Sequence, residues 1–188
     1  NLGWHHVIAE DLGYVTDTVR QLVRETGFPG MKVLEFAFDS RDTGSANDYL
    51  PHNYIENCVV YTGTHDNETV VGWFGCITKE EMQMVRDYLC DHRCPKKYLH
   101  QPFIALALSS VAKYCIVPIQ DYLGMDNTAR MNVPGTVGVN WRWRLLPGQL
   151  TDELGEEVCN VSKRYGRANW DALKAVEKAA EPEETASV

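Results

Sequence analysis

The densest run of side chains able to do chemistry is Val59-Val60-Tyr61-Thr62-Gly63-Thr64-His65-Asp66-Asn67-Glu68-Thr69. An apolar, β-prone segment from Cys58 to Tyr61 ends at a glycine, and histidine, carboxylate and amide side chains follow at once. A parallel strand delivers residues to a site in this way, at its C-terminal end. A second pair of carboxylates, Glu10-Asp11, follows another short apolar run at residues 4–9. Glu10 and Asp66 on separate strand ends, with histidine, asparagine and aromatic residues around them, suit acid/base chemistry on a neutral polyhydroxylated substrate. Glycoside cleavage needs one carboxylic acid to protonate the leaving oxygen and negative charge to steady an oxocarbenium-like transition state. Tyr, Trp and Phe offer apolar faces for sugar rings. The residues taken alone leave simpler roles open. Glu10 can cap a helix or pair with an arginine, Asp66 can hold a turn, and His65 and His52 can be packed loop histidines.

Strand ends can share a site only if strands and helices alternate. Strands are expected over 4–9, 31–38, 58–61 and 115–121, the last opposed by Pro118, which lacks a backbone donor. Thr16 and Gly27 bracket a helix at 17–26 with Val19, Leu22 and Val23 on one face, and Thr78-Lys79-Glu80-Glu81 is a capping box for a helix lasting to about Cys90. Further helices are expected at 101–114, 151–165 and 170–180. Residues 39–57 form a long connection without helical period, and such loops are usually functional. Four strands alternating with helices imply a parallel sheet with right-handed crossovers. The polar clusters Glu10-Asp11, His65-Asp66-Asn67 and Gln120-Asp121 would then gather on one face, as in a (β/α)8 TIM barrel. A full barrel takes roughly 250 residues, so this chain would hold about the second half. The expected organisation is a half barrel at 1–165, then a C-terminal helix and a disordered acidic tail at 166–188.

Composition removes several alternatives. A formal net charge of −8 argues against nucleic-acid and anionic-membrane surfaces, which need clustered Lys and Arg. The sequence has no apolar run of membrane-spanning length and shows no signal peptide. The six cysteines are scattered, several within apolar runs, so reduced thiols in a cytoplasm account for them. Cys90-Asp91-His92-Arg93-Cys94, with His100 nearby, has the wrong spacing for a structural zinc site. Neither a phosphate-cradling glycine loop nor a Gly-x-Ser-x-Gly elbow occurs. No metal and no cofactor are expected.

Six motifs taken together carry a family resemblance. They are Ile8-Ala9-Glu10-Asp11-Leu12-Gly13, Phe28-Pro29-Gly30-Met31-Lys32-Val33-Leu34-Glu35-Phe36-Ala37-Phe38, Leu50-Pro51-His52-Asn53-Tyr54, Tyr61 to Thr69, Ala129-Arg130-Met131-Asn132-Val133-Pro134-Gly135, and Asn140-Trp141-Arg142-Trp143-Arg144. In this order and spacing the chain resembles the amylomaltase family of 4-α-glucanotransferases, the disproportionating enzymes, from Ile8 to about Tyr165.

The resemblance implies an α-amylase-type barrel and transfer of α-1,4-glucan segments between maltooligosaccharides through a covalent glycosyl-enzyme intermediate. It implies Glu10 as general acid/base, Asp66 as the transition-state-stabilising carboxylate and His65 as a sugar-binding histidine. Phe36, His52, Asn53, Asn140 and Trp141 fall in segments that line the family's glucan cleft. The family's nucleophile is an aspartate on an earlier strand, in a segment before Glu10. Asp11 does not replace it, because neighbouring side chains on a strand point to opposite faces. The chain therefore reads as a fragment that needs the N-terminal half of the barrel as its partner and is inactive by itself. A non-catalytic carbohydrate-binding or barrel-complementing module is the alternative from another class, and an amylase-type hydrolase is the nearer one.

Overall fold

The computed structural model describes residues 6–13, 15–40 and 48–180. Its centre is a small parallel sheet of β1 (Gly30–Val33), β2 (Cys58–Tyr61) and β3 (Tyr114–Ile116), in the order β1-β2-β3. Val33 lies opposite Tyr61, and Tyr61 opposite Ile116. Of the strand expected at 4–9, residues 4 and 5 lie outside the described part. The rest reduces to a single parallel bridge between Ala9 and Gly30, made by the Ala9 amide donating to the Pro29 carbonyl at 2.9 Å. Asp11 completes this fourth position by accepting a bond from the Met31 amide at 2.7 Å. A Cβ at residue 30 would meet the Asp11 carboxylate, so glycine lets that side chain lie close against the strand.

The sheet carries α1 (Asp17–Thr26), α2 (Val70–Cys76), α3 (Lys79–Leu89), α4 (His100–Ser109) and the single turn α5 (Ile119–Tyr122). Side chains alternate across a strand. Cys58 and Val60 of β2 enter a core with Leu34, Phe38, Val70, Phe74, Val85 and Phe103. Its centre is aromatic: the Phe38 and Phe103 rings lie 6.0 Å apart, and the Phe74 and Phe103 rings meet edge-on at 5.5 Å. The opposite face is less covered, with Tyr114 48% and Ile116 43% exposed. The apolar stripe of α1 is present but unburied, Leu22 being 58% exposed.

Chain-local signals located α1, β2 and α3. Thr16 caps α1 and Gly27 ends it. The box on α3 is reciprocal, Thr78 N–H donating to Glu81 Oε2 at 2.8 Å and Glu81 N–H to Thr78 Oγ1 at 3.1 Å. That bond from the Thr78 amide is the main reason the Glu81 carboxyl sits below its ordinary pKa. Other expectations are corrected. The strand expected at 31–38 ends at Val33, and Leu34–Phe38 is a 3-10 turn. Leu34, Glu35, Ala37 and Phe38 are all buried, so no alternation marked the change. The short, nearly all-apolar α2 had escaped a periodicity argument for the same reason. The helix expected at 101–114 stops at Ser109, where the Ser109 and Ser110 hydroxyls take the Leu106 and Ala107 carbonyls. Pro118 closes the strand expected at 115–121, and Gln120 and Asp121 lie on α5.

Residues 1–149 form one compact unit and 150–188 a second. The second contains α6 (Asp152–Arg164) and α7 (Trp170–Ala180). The acidic tail from 181 lies outside the described residues. Among the described residues no helix is long and apolar enough to cross a membrane.

The two caps predict unequal effects. Thr78→Ala removes a reciprocal cap from a helix anchored by buried Val85 and is expected to cost about 1 kcal/mol. Thr16→Ala should cost less, because α1 buries no residue. Urea denaturation followed by tryptophan fluorescence measures both, and equal losses would contradict this ranking.

Candidate active site

The polypeptide leaving β2 is tied into a closed turn. Asn67 Oδ1 accepts from the Thr64 amide at 2.9 Å and the Thr64 hydroxyl at 2.7 Å, while the Asn67 amide returns to the Thr64 carbonyl at 3.2 Å. His65 and Asp66 project from this turn, each about half exposed. His65 Nε2 lies 3.3 Å from Asp66 Oδ1. The same oxygen accepts from Asn132 Nδ2 at 2.6 Å, while the Asn132 amide donates to the His65 carbonyl at 3.1 Å. Arg130 braces the pair from the side. Its Nη2 donates to the Asp66 carbonyl at 2.7 Å, its Nε to the Asn132 carbonyl at 2.9 Å, and its Nη1 lies 3.5 Å from Glu68 Oε1.

Trp141 stands against His65 with ring centroids 5.0 Å apart. Its backbone is left-handed (φ 62°), a costly state for a bulky residue. The Trp141 amide is held by the Met131 carbonyl at 2.7 Å. Asn140 clasps the preceding loop, accepting from the Val133 amide at 3.0 Å and donating to the Thr136 carbonyl at 3.0 Å. Asn140 thereby sets the position from which Trp141 leaves the loop. Half of the Trp141 surface remains open.

Glu10 is exposed between Ala9 and Asp11, both tied to the β1 end. Burial raises the Tyr61 phenol above its ordinary pKa, and the charge of Glu10 raises it further. Phe36, His52 and Asn53 engage other partners. The Phe36 ring meets Tyr49 edge-on at 5.3 Å. His52 stacks on Tyr88 of α3, with Nδ1 2.9 Å from the phenol oxygen. Asn53 ends the 3-10 turn Pro51–Asn53 that also carries His52, its amide donating to the Leu50 carbonyl at 2.9 Å.

A buried polar layer lies beneath the turn. Asp121 accepts from the Thr62 hydroxyl at 2.6 Å and the Val70 amide at 2.8 Å, binding the β2 end to α2. Burial outweighs these two bonds and lifts the Asp121 carboxyl to about 6. Glu35 is buried beside Gly63, and burial raises its carboxyl well above the ordinary range, with Asp121 and Glu68 adding to the effect. A cavity of about 110 Å³ lies alongside, lined by residues including His65, Glu68, Asp121 and Arg130.

The family model for 4-alpha-glucanotransferases, glycoside hydrolase group 77, matches residues 2–150. The chain belongs to this family. It is 48% identical over 165 residues to a 4-alpha-glucanotransferase of Synechocystis sp., an alignment covering 86% of this chain and 31% of the relative. A 4-alpha-glucanotransferase of Thermus thermophilus is 45% identical over 162 residues, covering 81% of this chain and 31% of that protein. The solved structure of the amylomaltase from Streptococcus agalactiae in complex with acarbose superposes with a TM-score of 0.83 at 38% identity, covering 89% of this chain and 33% of that one. The chain thus spans about a third of the length of the curated relatives it matches. The family match also ends where the first compact unit ends.

Of the family residues picked out in the sequence, His65, Asp66 and Trp141 meet, with Asn140 in the loop that carries Trp141. Asn132 and Arg130 had not been singled out, although they stand in one of the recognised motifs. Glu35 had a signal that went unused: it is the only carboxylate in the apolar run Val33 to Phe38.

Asp121 gives a pH prediction. Its folded pKa is raised, so its contribution to stability is complete below the unfolded value of 3.8 and is lost as pH rises through about 6. The gap corresponds to about 3 kcal/mol. Asp121→Asn keeps an acceptor for Val70 and a partner for Thr62 without titrating. Between pH 4 and 7 the melting temperature of the wild type should fall relative to this variant; parallel curves would contradict the assignment.

Proposed function

We propose that this chain forms the second half of the (β/α)8 barrel of a 4-alpha-glucanotransferase, acting on maltooligosaccharides or α-glucan by retaining double displacement. The observation that carries this reading is the Asp66 carboxylate, gripped by Asn132 and flanked by His65 and Trp141. The Asn132 side-chain amide sets the direction of the carboxylate and His65 flanks the same oxygen, so the carboxylate lies in a fixed place before the transition state develops. Trp141 offers a half-open aromatic face beside it, suited to a sugar ring. The acarbose complex of the Streptococcus agalactiae relative supports a sugar-like occupant.

Glu10 protonates the leaving 4-oxygen of the cleaved α-1,4 bond. A nucleophilic aspartate on a preceding strand takes the glucosyl unit, and Asp66 offsets the positive charge that builds on the anomeric carbon and ring oxygen. Glu10, now ionised, removes a proton from the incoming sugar hydroxyl, which displaces the aspartate. His65 holds the sugar at the scissile bond, and Phe36, His52, Asn53 and Asn140 belong to the segments of the cleft wall. The work is done without metal or cofactor.

The uncovered apolar surfaces fit the missing half of the barrel as partner. Val19 and Leu22 of α1 and Tyr114 and Ile116 of β3 lie open. A groove of about 600 Å³ runs past Val7, Ile8, Phe28, Tyr114 and Ile116. Unpaired sheet edges of this kind favour association. Among the described residues the cysteines form no disulfide, in keeping with a cytoplasmic enzyme.

In the protein that carries this chain behind the earlier barrel strands, Glu10→Gln and Asp66→Asn should each lower maltotriose disproportionation by about a thousandfold or more, with circular dichroism unchanged. Near-normal glucose release by either variant would sink the assignment. Labelled glucose added as acceptor should appear in longer oligosaccharides, which a plain hydrolase would not produce. The 188 residues alone should show no transfer, and turnover by the purified monomer would show the half-barrel reading to be wrong.

A further inference from the structure

Glu35 has no part in the mechanism above, yet it is the group packed most closely under the loop that presents His65 and Asp66. It sits on the 3-10 turn after β1, 5% exposed, and its amide donates to the Thr62 carbonyl at 3.2 Å, joining that turn to the β2 end. A Cβ placed on Gly63 would stand 2.9 Å from Glu35 Oε1 and 3.2 Å from Asn67 Cβ. The glycine therefore fits between the buried carboxyl below and the closed Thr64–Asn67 turn above. Oε1 is buried and has no hydrogen-bond partner among the described residues.

Donors of the buried layer and its margin serve other acceptors. The Thr62 hydroxyl and Val70 amide go to Asp121. Arg130 spends its guanidinium on the Asp66 and Asn132 carbonyls and on Glu68. A negative charge on Oε1 would therefore lack both water and a donor, a costly state in an interior. The charged groups facing Glu35 come from three elements. Asp121 of α5 and Glu68 after the turn oppose its ionisation, and Arg130 favours it more weakly.

We propose that Glu35 is a positioning residue for the His65–Asp66 loop, and that its carboxyl, seated under Gly63, makes the geometry of that loop depend on a proton. While the proton is present the carboxyl fills its space as a neutral group and the turn rests on it. When the proton leaves, the carboxylate must reach water or a donor, and Gly63 is the backbone packed against it at the foot of the turn. Asp66 and His65 then move from their places beside Asn132 and Trp141. The consequence for catalysis rests on the glucanotransferase reading; the proton-dependent geometry does not.

The sign follows from linkage. A carboxyl whose folded pKa is raised contributes stability that is complete below the unfolded value and is lost as pH rises through the folded one. The experiment is a pH titration of the labelled 188-residue chain by NMR, following the Glu35 carboxyl carbon and the amides of Gly63 and Asp66. The Glu35 carbon should titrate above the ordinary carboxylate range, with the Gly63 and Asp66 amides shifting at the same midpoint. In Glu35→Gln those amide transitions should vanish. Titration of Glu35 in the ordinary range, or persistence of the amide transitions in Glu35→Gln, overturns the proposal. Gly63→Ala is a second check: its methyl group should displace the Asp66 amide resonance at every pH, and an unmoved resonance counts against the contact.

In the protein with the earlier barrel strands, kcat should fall about tenfold for each pH unit above the Glu35 midpoint with little change in KM, and Glu35→Gln should lose this limb. Retention of the limb in that variant overturns the catalytic consequence. Absence of transfer by the wild type at any pH instead removes the glucanotransferase reading and leaves the NMR result to decide the role of Glu35.

Discussion

The end of β2 is fixed by one buried carboxylate. Asp121 lies far along the chain from Thr62 and Val70 yet bonds both, one on either side of the 63–69 segment. A loop whose two ends share a buried acceptor cannot slide along the strand or swing away from α2 without exposing two donors to an apolar interior, each at a cost of about 1–3 kcal/mol. Everything that projects from the loop, His65 and Asp66 first, inherits its position from that clamp. α5 matters to the site for this reason, although it is only one turn long.

Above the clamp the construction changes from buried to exposed, and so does the kind of interaction. The Asn132 and Arg130 contacts reach Asp66 from a segment with no regular secondary structure, held instead by Asn140 closing its own loop and by the strained backbone at Trp141. Exposed hydrogen bonds contribute little to global stability because water competes for them. Here they restrict direction: a carboxylate held by a side-chain amide and flanked by an imidazole has few orientations left. The buried layer thus supplies the anchoring, and the exposed layer supplies the aim.

Legibility in the sequence followed the range of the forces involved. β2 was evident because an apolar run met a glycine, and α1 and α3 because their caps are satisfied by residues three positions away. The 3-10 turn at Leu34–Phe38 was hidden because burial on all sides erases the alternation that separates strand from turn. Asp121 read as the polar end of a strand, and its real role depends on partners 59 and 51 residues away. No local pattern encodes such a pairing. The family motifs reached further, bringing His65, Asp66, Asn140 and Trp141 into view together, because a motif set carries distant pairings that periodicity cannot.

Two buried carboxyls close together raise a question of distribution that the geometry answers. Thr62 and Val70 offer two donors, and Asp121 takes both, which leaves Glu35 Oε1 buried without a hydrogen-bond donor among the described residues and only the weaker pull of Arg130 in its favour. Had the donors been shared, both groups would be partly stabilised as anions and the loop would rest on two like charges. Concentrating them on one acid makes the pair unequal: Asp121 is shifted moderately, Glu35 strongly. An unequal pair holds a single well-defined proton across the range where an equal pair would exchange one. The floor under Gly63 is therefore neutral in the range where the clamp beside it takes up charge.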